Sequence, residues 1–242
     1  MGSGSGGSDV RLVPVERPGG VRWLTHLSPA RAAAYASSVA PAVPAIERAL
    51  GPVVVANRVV ALPLDPPAIV LEPWRSARAR FGALVGDLAR GSKAVLLADV
   101  RGCYAAITAG RVREALARLG CDPRIARHIA ATVRGFERAG VVGLPVGPEA
   151  SAVLANAVLA HVDASLERAG FRHLRWVDDV MVGIAGTSSA ERALRVIERA
   201  LGEVGLEVAT QKTRIVDASC TDGSDALPAS CSPIVDPGPM DG

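Results

Sequence analysis

Lysine is almost missing from this chain: of its 27 basic residues only Lys93 and Lys212 are lysines, and the rest are arginine. With 24 acidic residues the formal charge is +3 and the pI about 8.9, which permits a polyanionic partner without demanding one. GC-rich coding is the readier account of the arginine, since Ala, Gly, Pro and Val are abundant too. Cysteine pairs are also lacking. Cys103, Cys121, Cys220 and Cys231 form no CxxC and have no histidine at zinc-finger spacing. That argues against a metal knuckle or disulfide framework, so reduced thiols in a cytoplasmic protein are expected. No long apolar run is present. Val53 to Leu64 is interrupted by Asn57 and Arg58 and is too short for a bilayer, and the N-terminus lacks a charged-then-apolar signal pattern. Neither membrane insertion nor secretion is expected.

What is present suffices for a core: 242 residues, 49% of them hydrophobic, fit one large domain or a main domain with a satellite. Residues 1–9, containing GSGSGGS, read as a flexible linker or an appended scar. Val10 to Thr25 alternates around Pro18-Gly19-Gly20, as a β-hairpin would. Ala30 to Leu50 is helical in character, broken or kinked by Pro41 and Pro44. Val53 to Leu64 reads as a strand region and Trp74 to Arg90 as a helix.

AVLLADV, Ala94 to Val100, is a strand-length apolar run that delivers Asp99 near its end. Helices are expected over Ala109 to Leu119, Pro123 to Glu137 and Ser151 to Arg168, the last with one apolar face through Val153, Leu154, Ala157, Val158 and Val162. Leu174 to Ile184 reads as a hairpin. Ser188 and Glu191 have capping-box spacing before the next helix, and short strands follow at Leu206 to Val208 and Arg214 to Val216. This order predicts an α+β fold with a ferredoxin-like antiparallel sheet packed on helices. Residues 218–242, rich in Pro, Ser, Gly and Asp, read as a disordered tail.

The chemistry concentrates in RWVDDVMVG, residues 175–183. An isolated Asp-Asp pair is more often a solvated turn, but apolar strands on both sides place Asp178 and Asp179 at a hairpin tip where their side chains converge. Asp99 supplies a third carboxylate from a neighbouring strand end. Three converging carboxylates call for a hard cation, which suits Mg²⁺ with Mn²⁺ as a possible substitute. That set is the usual apparatus of phosphoryl transfer.

ADVRGCYAAI, GLPVGPEASAVLANAVLAHVD, WVDDVMV and GLEVATQKTRI occur in that order, and in order and approximate spacing they resemble the palm motifs of bacterial reverse transcriptases. The retron, group II intron and phage-defence branches are the most similar. The resemblance implies fingers and connecting helices over 10–93 and a palm over 94–217. It implies RNA-directed DNA synthesis with two metal ions, an RNA template, a DNA or RNA primer and deoxynucleoside triphosphates, and points by analogy to antiviral defence. Asp99, Asp178 and the Val100 carbonyl would hold metal, with Asp179 the more peripheral carboxylate. Tyr104 would be the steric gate against a ribose 2′-hydroxyl, and Lys212 would lie near the pyrophosphate leaving group. Arg22, and secondarily Arg17, would meet the triphosphate. Val146 and Gly147 would line the nucleotide site, with Pro145, Ser151 and Asn156 towards template and primer.

Each role has a plainer counterpart: Tyr104 as core aromatic, Lys212 and the arginines as solvated charges, Asn156 as a structural residue. Cys103, Trp176, Ala209 and Val146 depart from the residues common at those family positions. No thumb bundle is recognisable after Asp217, so a partner chain or a longer native chain would have to grip the duplex. The rival readings are a template-independent or protein-primed DNA polymerase, and a degenerate palm that only binds nucleic acid or protein.

Overall fold

The computed structural model describes residues 9–17 and 20–221. Strands β1 (Val10–Arg17) and β2 (Gly20–Leu27) form the expected hairpin, in register from Val10↔Leu27 to Arg17↔Gly20. Pro18 and Gly19 of its turn, and the Arg17 side chain, lie outside the described residues. Ser28 caps α1 (Pro29–Val39) by accepting from the Arg31 amide at 3.3 Å, with proline in the first turn, where its missing donor costs nothing. Pro41 sits in a 3₁₀ turn, Ala40–Ala42, and Pro44 in the first turn of α2 (Val43–Ala49), so the expected break falls between two short helices.

The continuous strand expected over Val53 to Leu64 is not formed. Only β3 (Val59–Ala61) is extended there, paired with β4 (Val70–Leu71). Asn57 takes a left-handed φ of 60°. Arg58 folds back onto Glu47 at 2.8 Å and onto the Gly51 and Val54 carbonyls at 3.1 Å. Val54 instead bridges in parallel to Arg175.

The remaining elements are α3 (Trp74–Arg90), β5 (Ala94–Asp99), α4 (Cys103–Ala106), α5 (Ala109–Arg118), α6 (Pro123–Arg138), α7 (Glu149–Arg168), β6 (His173–Trp176), β7 (Asp179–Ile184), α8 (Thr187–Glu203) and β8 (Arg214–Asp217). The sheet order is β6-β7-β5-β8, all antiparallel, which is the ferredoxin-like arrangement expected. Three expectations are corrected. Leu206 to Val208 contributes only one bridge, Val208 to Val100. Ser188 lies inside α8, whose cap position is Gly186, so no capping box forms. Residues 218–221, placed in the tail, form a 3₁₀ turn beside α3; residues 222–242 lie outside the described residues.

Strand alternation sends the sheet's side chains into two cores. Leu96, Ala98, Val180 and Val182 face the larger one, which also takes buried residues of α5, α7 and α8. Val95, Leu97, Leu174, Trp176 and Met181 face the smaller, closed by Ala77, Phe81, Val85 and Leu88 at helical spacing on α3. Each buried Leu or Phe there contributes about 1.5–3 kcal/mol. Helix α7 exceeds its expected single apolar face: it touches α1, α2, α4, α5, α8 and β6, and is buried from Ala150 to Ala160 without a break. A helix enclosed on all sides needs apolar residues all round, and any polar one among them needs a partner.

Candidate active site

Register sets the acids. Asp99 ends β5 directly opposite Asp179, which opens β7. By alternation both share the sheet face of Leu97 and Met181. Directly opposed like charges are destabilising unless something neutralises them. Asp178 occupies the two-residue turn between β6 and β7. One carboxylate oxygen from each of Asp99, Asp178 and Asp179 lies within 4.8 Å of the other two.

Asp99 and Asp179 are each 8% exposed, and Asp179 Oδ2 is buried without a hydrogen-bond partner. Burial, then the Asp99 charge, pushes the Asp178 carboxyl up to about 6, against opposing pulls that include the Arg22 and Lys212 charges. Burial, followed by the charges of Asp178 and Asp99, pushes Asp179 up to about 8. Lys212 Nζ contacts Asp99 Oδ2 at 3.1 Å from a side chain that is 68% exposed. The solvated ammonium, together with the Arg22 and Arg214 charges, still leaves Asp178 and Asp179 raised. An orphaned buried oxygen amid three hard ligands fits a divalent cation.

Around this centre, Arg101 N donates to Glu207 O at 2.8 Å and Ala209 N to Asp99 O at 2.7 Å. These two bonds flank the Val100–Val208 bridge and leave the Val100 carbonyl turned to the β7 side. Tyr104, on α4, is partly buried against the larger core, and burial raises its hydroxyl well above the usual range. Leu144 N donates to Tyr104 O at 2.9 Å. Gly143 makes that approach possible, because a Cβ at its φ of +68° would collide with the Tyr104 and Ala105 carbonyls. The next stretch of that loop is tied to the hairpin, Thr25 N donating to Val146 O at 2.7 Å, while Gly147 holds a φ of +126°. Arg22 is exposed on β2, and its charge is felt at both Asp178 and Tyr104.

Other expected site residues are drawn away from the centre. Ser151 is 0% exposed, its hydroxyl 3.1 Å from the Tyr35 hydroxyl; Asn156 is 2% exposed, with its amide wholly engaged by protein. Pro145 is buried as well. The three side chains expected towards template and primer are therefore all buried. Two departures gain a packing reason. Trp176 lies against Phe81 with ring centroids 5.0 Å apart, and Cys103 is a core residue whose thiol is raised chiefly by burial.

Sequence reasoning missed a second charged cluster beside the first. Arg175 is 0% exposed. Its Nε donates to Asp163 Oδ1 at 2.9 Å and its Nη2 to Asp163 Oδ2 at 2.8 Å. Its Nη1 donates to Asn156 Oδ1 and to the Val177 carbonyl, both at 2.8 Å. Burial alone would raise the Asp163 carboxyl; the Arg175 charge and its hydrogen bonds, with His173 Nε2 3.5 Å away, hold it below the usual range. An acid inside an enclosed helix and an arginine between Leu174 and Trp176 were the available signals.

A ferredoxin-like sheet with an acid at the end of one central strand and two at the adjoining hairpin defines a polymerase-type palm. The profile of the reverse transcriptase (RNA-dependent DNA polymerase) family matches residues 55–222, more than half of the chain, and the chain belongs to that family. Retron Mx65 reverse transcriptase of Myxococcus xanthus is 30% identical over 171 residues, which cover 64% of this chain and 39% of the relative. The chain thus spans about two fifths of that relative's length. Among solved structures, apo telomerase from Candida tropicalis, truncated from its C-terminal domain, superposes with a TM-score of 0.51 at 12% identity. That overlap covers 86% of this chain and 50% of the other, and supports the fold. Among the described residues no helix is long and apolar enough to cross a membrane.

Proposed function

We propose that the chain is the fingers and palm of an RNA-directed DNA polymerase that extends a primer 3′-hydroxyl with deoxynucleotides on an RNA template. The observation that supports this most is the triad: in a chain of this family, Asp99, Asp178 and Asp179 sit together, largely buried and short of internal cations. These three, with the Val100 carbonyl, would hold two Mg²⁺ ions, or Mn²⁺ in their place. The ions would supply charge neutralisation and Lewis acidity for phosphoryl transfer. Lys212 would place positive charge at Nζ beside the leaving pyrophosphate or donate a proton to it, the second a role arginine fills poorly because it does not release its proton. Arg22 would orient the triphosphate and Tyr104 would exclude a ribose 2′-hydroxyl, with Val146 and Gly147 completing the nucleotide site.

Residues 10–93 would then be the fingers side and 94–217 the palm. A cytoplasmic location suits a polymerase with reduced cysteines. Incorporation of labelled deoxynucleotides, assayed on RNA, on DNA and without template, tests the reading: product that depends on RNA supports it, and product that survives template removal replaces it with template-independent synthesis. The pathway reading, anti-phage defence, rests on the likeness of LPVGPEAS to defence-associated members. Plaque counts with and without Asp178→Asn test it.

A further inference from the structure

We infer that Arg175 is a positioning residue: its guanidinium clamps the Val177 carbonyl and so fixes the turn that presents Asp178 and Asp179 to metal. The inference rests on the metal-holding reading above. Val177 is the first of two residues linking β6 to β7, and it adopts a φ of 55°. That is glycine territory, and a β-branched residue there is strained unless its surroundings hold it. What holds it is Nη1 of Arg175 on the Val177 carbonyl at 2.8 Å.

The clamp is braced from every side. Asp163 grips the Nε and Nη2 edge bidentately, and Asn156 accepts from Nη1 while its own amide group donates to the Ala56 and Asn57 carbonyls at 3.3 Å. The Arg175 backbone is fastened as well: its N–H donates to Val53 O at 2.8 Å and its carbonyl accepts from Val55 N at 3.1 Å. Helix α7, the 53–57 segment and the acid-bearing turn therefore meet on one planar cation. Lysine carries the same charge but cannot span Asp163, Asn156 and the Val177 carbonyl together.

Mn²⁺ binding to the full-length protein, followed by electron paramagnetic resonance without nucleotide, tests the clamp independently of turnover. Arg175→Lys should weaken binding about tenfold, whereas Leu116→Ala, which damages the core in α5, should leave it within twofold at equal or greater loss of thermal stability. Adding Val177→Gly to Arg175→Lys should restore most of the affinity, because glycine holds the turn unaided. Should Arg175→Lys not fold, Asn156→Ala with and without Val177→Gly provides the same comparison. A folded clamp variant that binds Mn²⁺ as the wild type does, equal weakening by Leu116→Ala, or no rescue by glycine would overturn the clamp while leaving the metal site standing. A wild type that binds no Mn²⁺ would remove the metal reading and the clamp with it.

Discussion

Two carboxylate clusters adjoin the same hairpin and are treated oppositely by the fold. Asp163 has Arg175 against it and hydrogen bonds on both oxygens, and its carboxyl is held low. Asp99, Asp178 and Asp179 have one another, an exposed lysine and an orphaned oxygen, and Asp178 and Asp179 are raised to about 6 and 8. Arg175 lies between the two, yet its guanidinium donates to Asp163, Asn156 and the Val177 carbonyl. The first cluster closes its own charge and is complete. The second leaves negative charge that only something from outside can neutralise.

The largest way to break this contrast is at the triad. Asp178→Asn or Asp99→Asn should lower deoxynucleotide incorporation by about a thousandfold or more, a loss of roughly 4 kcal/mol of transition-state stabilisation, while the metal-free protein melts no lower than wild type. Incorporation at the wild-type rate would remove both acids from the chemistry. Next is the closed cluster: Asp163→Asn leaves Arg175 buried without a counter-charge and should cost about 3–5 kcal/mol, read from urea unfolding. A change below about 1 kcal/mol would show that the pair is not the closed unit described. Tyr104→Ala should raise ribonucleotide use by about tenfold or more, on the order of 1.4 kcal/mol of discrimination, with deoxynucleotide use less affected; unchanged sugar selection would reject the gate. The smallest effect is at Lys212. Lys212→Gln should change stability by less than about 0.5 kcal/mol, as a mostly exposed pair would, yet lower the rate of incorporation.

Much of the triad was legible because β-structure is local in its signals. A strand-length apolar run ending in Asp99 and a hairpin pattern around VDD suffice to bring three acids to neighbouring strand ends. Helix α3 was read to its observed ends because a periodic stripe through Phe81, Val85 and Leu88 is an unambiguous pattern. What escaped depends on contacts between distant segments. The strand expected at Val53 to Leu64 fails because Arg58 bonds to Glu47, and because residues 53–55 pair with Arg175, some 120 positions away. Arg175 has no local signal of burial beyond its place between Leu174 and Trp176. Only the burial of both sheet faces and of all sides of α7 turns it into a buried cation facing a buried acid.

The most direct test of the contrast is thermal melting across pH, with and without Mg²⁺, on wild type and Asp179→Asn. A carboxyl raised in the folded state binds its proton more tightly there than in the unfolded chain, so stability is greatest below about pH 4 for this group. It should fall as pH rises towards 8, by a few kcal/mol in total. The Asp163 pair has the opposite sign, its contribution present above the ordinary carboxylate range and lost only on acidification. Metal-free wild type should therefore lose stability relative to Asp179→Asn between pH 5 and 8.5. Mg²⁺ should restore it at pH 8.5, with little effect at pH 5 and a smaller one in the variant. Parallel pH profiles for the two proteins, with no Mg²⁺ response at pH 8.5, would contradict the claim that this cluster is built to be neutralised from outside.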